Sequence, residues 1–198
     1  MRILTILFLL LIVPPPIHSY ERSIRVVVVN PDGDPTSSEH TELARIATQQ
    51  ALDWWTRLAP LPITSSIVSV TTVTTTADYY DHLFEYSPQW EEPDTITVFA
   101  VDNLTSHRRF YGFAQATAGQ DELWFVLDYP YIPPMAAYLL GFTLFHLPDL
   151  SGPDAGCIET DIMCRPATAY EQNIVGCRSL AVMGYPCQKI YLPFLAKS

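Results

Sequence analysis

Between Ser23 and Asn30 the stretch SIRVVVVN places four valines in a row. A run without polar alternation predicts a strand covered on both faces, as at the centre of a helix-flanked sheet. Pro31-Asp-Gly-Asp-Pro35 then forces a turn, with Gly33 open to positive φ and the prolines stopping the strand. From Thr36 the period changes. Thr36 and Glu39 have the spacing of a capping box, and Leu43, Ile46, Ala47, Ala51, Trp54 and Leu58 recur at helical spacing until Pro60 and Pro62 end the helix. Of the adjacent Trp54 and Trp55, one should anchor the helix against the sheet while the other stays partly exposed.

Ser66 to Thr76 is rich in β-branched residues, and Ile67, Val68, Val70 and Val73 mark a second strand. A short helix is expected from Ala77 to Tyr86. Thr95 to Asp102 (TITVFAVD) reads as a third strand. Leu123 to Asp128 (LWFVLD) reads as a fourth, reached through the looser stretch His107 to Glu122. An almost wholly apolar helix should start at Pro134, where a missing N–H costs nothing, and end by Leu147, because Pro148 disfavours helical geometry before it. A last helix is expected from Gly176 to Met183. This alternation predicts a mixed α/β (α+β) domain with a twisted sheet and a late edge strand.

Composition narrows the setting. Residues 1–19 have a basic start at Arg2, an apolar run from Ile3 to Val13, three prolines and a small Ser19, the outline of a secretory leader. Residues 20–198 are then expected to form one exported domain. Against 21 acidic residues stand 11 basic ones, a net charge of −10 that argues against nucleic acid and anionic membrane surfaces as partners. The four cysteines, Cys157, Cys164, Cys177 and Cys187, all lie late in the chain. In an exported protein they predict two disulfides, with three connectivities open, and their spacing lacks the close pairs of a structural zinc site. Asn103-Leu-Thr105 is a glycosylation sequon.

The region Pro133 to Cys164 carries a resemblance. Ala137-Tyr-Leu-Leu-Gly-Phe-Thr-Leu-Phe145, followed by Leu147-Pro-Asp149, is similar to the active-site helix of metzincin-type zinc metalloproteases, with its H-E-x-x-H-x-x-G-x-x-H/D pattern. Asp161-Ile-Met-Cys164 resembles that family's methionine turn, with Met163 as the methionine beneath the metal. Gly176-Cys-Arg-Ser-Leu-Ala181 looks like the start of the C-terminal helix, which the family often ties to that turn by a disulfide. The resemblance implies a zincin-like sheet, with Trp124, Phe125 and Val126 on the edge strand along which a peptide would lie.

The chemistry departs from the family. Zinc hydrolysis needs three protein ligands, an open position for water and a general base. The positions matching the two histidines and the glutamate hold Tyr138, Phe142 and Leu139. Leu139 cannot take a proton, and no two of the five histidines lie closer than 22 residues. The family's later glycine falls on Phe145, with one extra residue before Leu147-Pro-Asp149. Tyr138, Phe142 and Phe145 instead have the size and polarity to plug the vacated space, at roughly 1.5–3 kcal/mol per buried ring.

Three readings follow. The first is a secreted, inactive metalloprotease-like protein without a cofactor, binding an unidentified protein or peptide through the old substrate cleft. The second is a metallohydrolase that rebuilds a zinc site from His146 and Asp149, with Asp154, Glu159 and Asp161 nearby. The third is a disulfide-stabilised secreted domain unrelated to proteases. Phosphate loops, dinucleotide fingerprints and nucleophile elbows are absent from the sequence.

Overall fold

A computed structural model describes residues 20–31, 37–59, 62–75, 95–101, 112–117, 120–127, 132–147, 163, 175 and 177–185. Five strands form one sheet: β1 (Ser23–Pro31), β2 (Ser66–Thr75), β3 (Thr95–Val101), β4 (Gly112–Thr117) and β5 (Gln120–Val126). Their order is β2-β1-β3-β5-β4. Four strands run parallel and β4 alone is antiparallel, paired to β5. The helices among the described residues are α1 (Ser37–Leu58), α2 (Ile132–Phe145) and α3 (Cys177–Val182). The result is a mixed α/β fold.

The valine run of β1 sits between β2 and β3, and Val26, Val27 and Val28 are fully buried. Successive side chains of a strand point to opposite faces, so a strand with both faces covered has no use for polar alternation. Val26 and Val28 join Ile96, Val98, Leu123 and Phe125 in the main core beneath α1 and α2. Val27, Phe99 and Trp124 form a row on the other face, where the Phe99 and Trp124 rings stack with centroids 4.0 Å apart.

α1 begins at Ser37, beside the expected capping box, and buries Ala44, Ala47, Thr48, Ala51, Leu52, Trp55 and Leu58. Its buried stripe is therefore rotated from the one expected. Leu43 and Ile46 are exposed at 40% and 38%, because small Ala44 and Ala47 let the helix approach the sheet closely. Trp55 is the anchor and Trp54 is half-buried; Trp55 joins the core between helices and sheet, and its Nε1 donates to the Ala137 carbonyl of α2 at 2.7 Å.

Two further expectations change. LWFVLD does not form the sheet edge, since β5 pairs with β3 on one side and β4 on the other. The edge is β4, in a stretch read as loose because GFAQAT has only one β-branched residue. The expected helix over Ala77 to Tyr86 lies outside the described residues. No helix among the described residues is long and apolar enough to cross a membrane.

Candidate functional site

α2 opens with Ile132-Pro-Pro134 and packs against α1, β4 and β5. Apart from half-buried Pro133 and Phe142, its side chains are buried, so it is a core helix rather than an amphipathic one. Helical spacing divides its surface into three stripes that bear on function.

The first stripe, Met135 and Leu139, faces β4. A Cβ built on Gly112 would stand 2.6 Å from Leu139 Cδ1 and 3.0 Å from Met135 Sδ. Only the missing side chain of Gly112 lets the edge strand settle on the helix. Leu139, which the resemblance matches to the family's general base, is 3% exposed and fills this crossing.

A second stripe, Ala137 and Gly141, faces Trp55 and Met163. A Cβ on Gly141 would meet Met163 Sδ at 2.5 Å and Trp55 Cζ2 at 2.8 Å. Met163 is wholly buried and packs against α2 at Gly141.

Between these flanks lie Tyr138 and Phe142, their rings edge to face with centroids 4.9 Å apart. Such pairs contribute about 0.5–1.5 kcal/mol beyond the area they bury. Phe145, expected in the same plug, turns away from it. Its ring meets Trp55 and Tyr20, each at 4.8 Å, and ties the end of α2 to the start of β1. Just past the helix, His146 takes φ 53° while the Leu147 amide donates to the Gly141 carbonyl at 3.2 Å. The left-handed turn thus comes at His146, one residue after Phe145.

Three comparisons place the chain among known proteins. No family model matches it, and no curated protein does. Among solved structures it is similar to metalloproteinase-II from Bacteroides fragilis. That likeness has 12% identity and a TM-score of 0.41, and covers 81% of this chain. The chain spans about half of that structure, 50% of its length.

The donor set does not fit zinc at the motif positions. At the positions the resemblance matches to the zinc motif, Tyr138 and Phe142 carry no imidazole and Leu139 offers no oxygen or nitrogen. Among the described residues no three His, Cys, Asp or Glu side chains converge. His146 is exposed, and Asp149, its partner in the alternative metal site, lies outside the described residues. Trp124, Phe125 and Val126 are buried inside the sheet and line no open edge. Cys177, the first residue of α3, is disulfide-bonded. Cys157, Cys164, Cys187 and Asn103 lie outside the described residues.

An open cavity of about 690 Å³ lies elsewhere, lined by Gln50, Asp53, Trp54, Thr56 and Arg57 of α1 and by Pro133. Sequence reading set Trp54 aside as a packing residue. The signal available was the recurrence of Gln50, Asp53, Trp54 and Arg57 at helical spacing on one flank of α1.

Proposed function

We propose that this chain is a secreted, catalytically inactive relative of the zinc metalloproteases that acts by binding a protein or peptide. The observation that carries the reading is the Leu139–Gly112 crossing. The residue that should receive a proton from water is a leucine closed beneath the edge strand. Tyr138 and Phe142 occupy the flanking positions as an aromatic pair, and Met163 keeps its place against the helix without serving a metal. The partner would enter along β4, whose outer side is a sheet edge, and add to it by main-chain hydrogen bonds. Cys157, Cys164, Cys177 and Cys187 are assigned to two disulfides, which would hold the late region after export.

Elemental analysis and peptidase assays on the purified chain test this reading. The expected outcome is no stoichiometric zinc and no chelator-sensitive cleavage. About one tightly held zinc per chain, with cleavage abolished by a chelator, would instead establish the rebuilt site at His146 and Asp149. A constructive test is the triple change Tyr138→His, Leu139→Glu and Phe142→His. It should gain zinc affinity, with Asp149 as third ligand, and should lose stability when metal is withheld, because its new carboxylate lies in the buried crossing.

A further inference from the structure

Among the described residues the second edge of the sheet is β2, which pairs there with β1 alone. Its described side chains from Ser66 to Thr74 all retain solvent exposure, Val68 at 56%, whereas Val26 to Val29 of neighbouring β1 are at 0–2%. The register with β1 slips near Val68 and is regular from Ser69 to Thr75. Those last residues, SVTTVTT, contain no charge, proline or glycine. Natural edge strands discourage pairing with lysines, prolines or bulges, and here only the slip at Val68 serves that purpose, ahead of the regular stretch.

The sequence of this edge fits itself. In an antiparallel pairing centred on Thr72, Thr72 opposes Thr72 of a second copy, Thr71 opposes Val73, and Val70 opposes Thr74. Every one of these pairs sets a β-branched residue against another, and such cross-strand pairs stabilise a sheet. The register also preserves alternation, so each residue meets one on its own face of the sheet. Charge favours the same occupant. Two copies each carrying −10 repel over much of their surfaces, but along this stretch no like charges meet. On the helix-covered face, Thr72 and Thr41 of α1 share a hydrogen bond of 2.9 Å between their hydroxyl oxygens.

We propose that two copies of this chain pair antiparallel through Ser69–Thr75, about a twofold axis at Thr72, joining their sheets into one. Sedimentation velocity on the purified chain should show a concentration-dependent monomer–dimer equilibrium. Thr72→Lys sets two ammonium groups opposite each other and should raise the dissociation constant by about tenfold or more, with an unchanged circular dichroism spectrum. Thr72→Cys should yield a covalent dimer under mild oxidation, because directly opposed positions bring Cβ atoms to about 4.5–5.5 Å. Val68→Cys, outside the paired stretch, should not. A chain that sediments as a monomer at every concentration overturns the proposal, as does a dimer that Thr72→Lys leaves at full strength. Should Thr72→Lys fail to fold, the cross-link decides alone: its formation sustains the proposal and its absence ends it.

Discussion

Gly112 of β4 rests directly on Leu139 of α2, so closely that a Cβ on the glycine would lie 2.6 Å from the leucine Cδ1. The contact joins β4 to the helix in the middle of its apolar surface. Two residues without a polar side-chain atom therefore decide what this crossing can do. Glycine lets the backbone approach, leucine fills the remaining space, and neither moves a proton.

Gly112→Ala should destabilise the fold by about 1–3 kcal/mol, the usual cost of an extra methyl group in a filled core. The opposing atoms are ends of flexible side chains, Leu139 Cδ1 and Met135 Sδ, which favours the lower half of that range. Leu139→Ala alone should cost about 2–5 kcal/mol. The double variant should be less destabilised than the sum by about 1 kcal/mol, because the second change makes room for the first. Urea unfolding of the four proteins measures this; strict additivity would show that the two residues do not share the space.

Gly141→Ala gives a sharper contrast. At an exposed helix interior, alanine would be worth up to ~1 kcal/mol over glycine. Here its methyl group would meet Met163 Sδ at 2.5 Å and a carbon of the rigid Trp55 ring at 2.8 Å. A net loss of roughly 1–3 kcal/mol is expected, because displacing the ring also disturbs its 2.7 Å hydrogen bond to Ala137. A thermal midpoint at or above that of the parent would contradict the packing described.

These sites also mark what could be read from the residues alone. The apolar length of α2 and the unbroken valines of β1 are strong signals because burial on every side removes the need for polar positions. That one of the two adjacent tryptophans anchors α1 was legible, but not that it is Trp55, since Trp54 has the same size and falls on the expected stripe. The edge strand was not. LWFVLD resembles β1 in its unbroken apolar character, which belongs to an interior strand, whereas GFAQAT is held by pairing to β5 and by the fit of Gly112 rather than by propensity. The α1 stripe was misread for a related reason. Leu43 and Ile46 outweigh Ala44 in hydrophobicity, but close approach to the sheet selects small residues, Ala44 beside the expected Ala47 and Ala51. What Phe145 touches depends on Tyr20 and Trp55, distant in the chain, and no local pattern carries that information.

The pH response of the Glu42–Arg45 pair should be slight. Hydrogen bonds from the Arg45 guanidinium, at 2.5 and 2.8 Å, hold the Glu42 carboxyl below its ordinary range. A depressed carboxyl contributes stability that is present above its unfolded-state value and fades as pH falls through the lowered folded-state value. Both groups are exposed and screened by salt. Glu42→Gln should therefore leave the thermal midpoint at neutral pH and physiological salt unchanged within error. A large drop there would mean that the pair serves an interface.

Arg22 and Asp121 present the opposite case. The guanidinium donates to Asp121 Oδ2 at 2.6 Å, with side-chain exposures of 29% and 8%. The bond spans the first turn of the sheet, linking the approach to β1 with the start of β5 across β3. Arg22→Ala would leave a carboxylate in a nearly dry position without its counter-charge, a change that costs roughly 3–5 kcal/mol for fully buried pairs and less here because the arginine keeps some water. About 2 kcal/mol is expected from denaturant unfolding. Removing both charges, as Arg22→Met with Asp121→Leu, should recover most of that loss, since the cost lies in the stranded carboxylate rather than in the missing attraction. If the double variant is no more stable than Arg22→Ala, the pair orders the start of the sheet through its geometry, and the desolvation account fails.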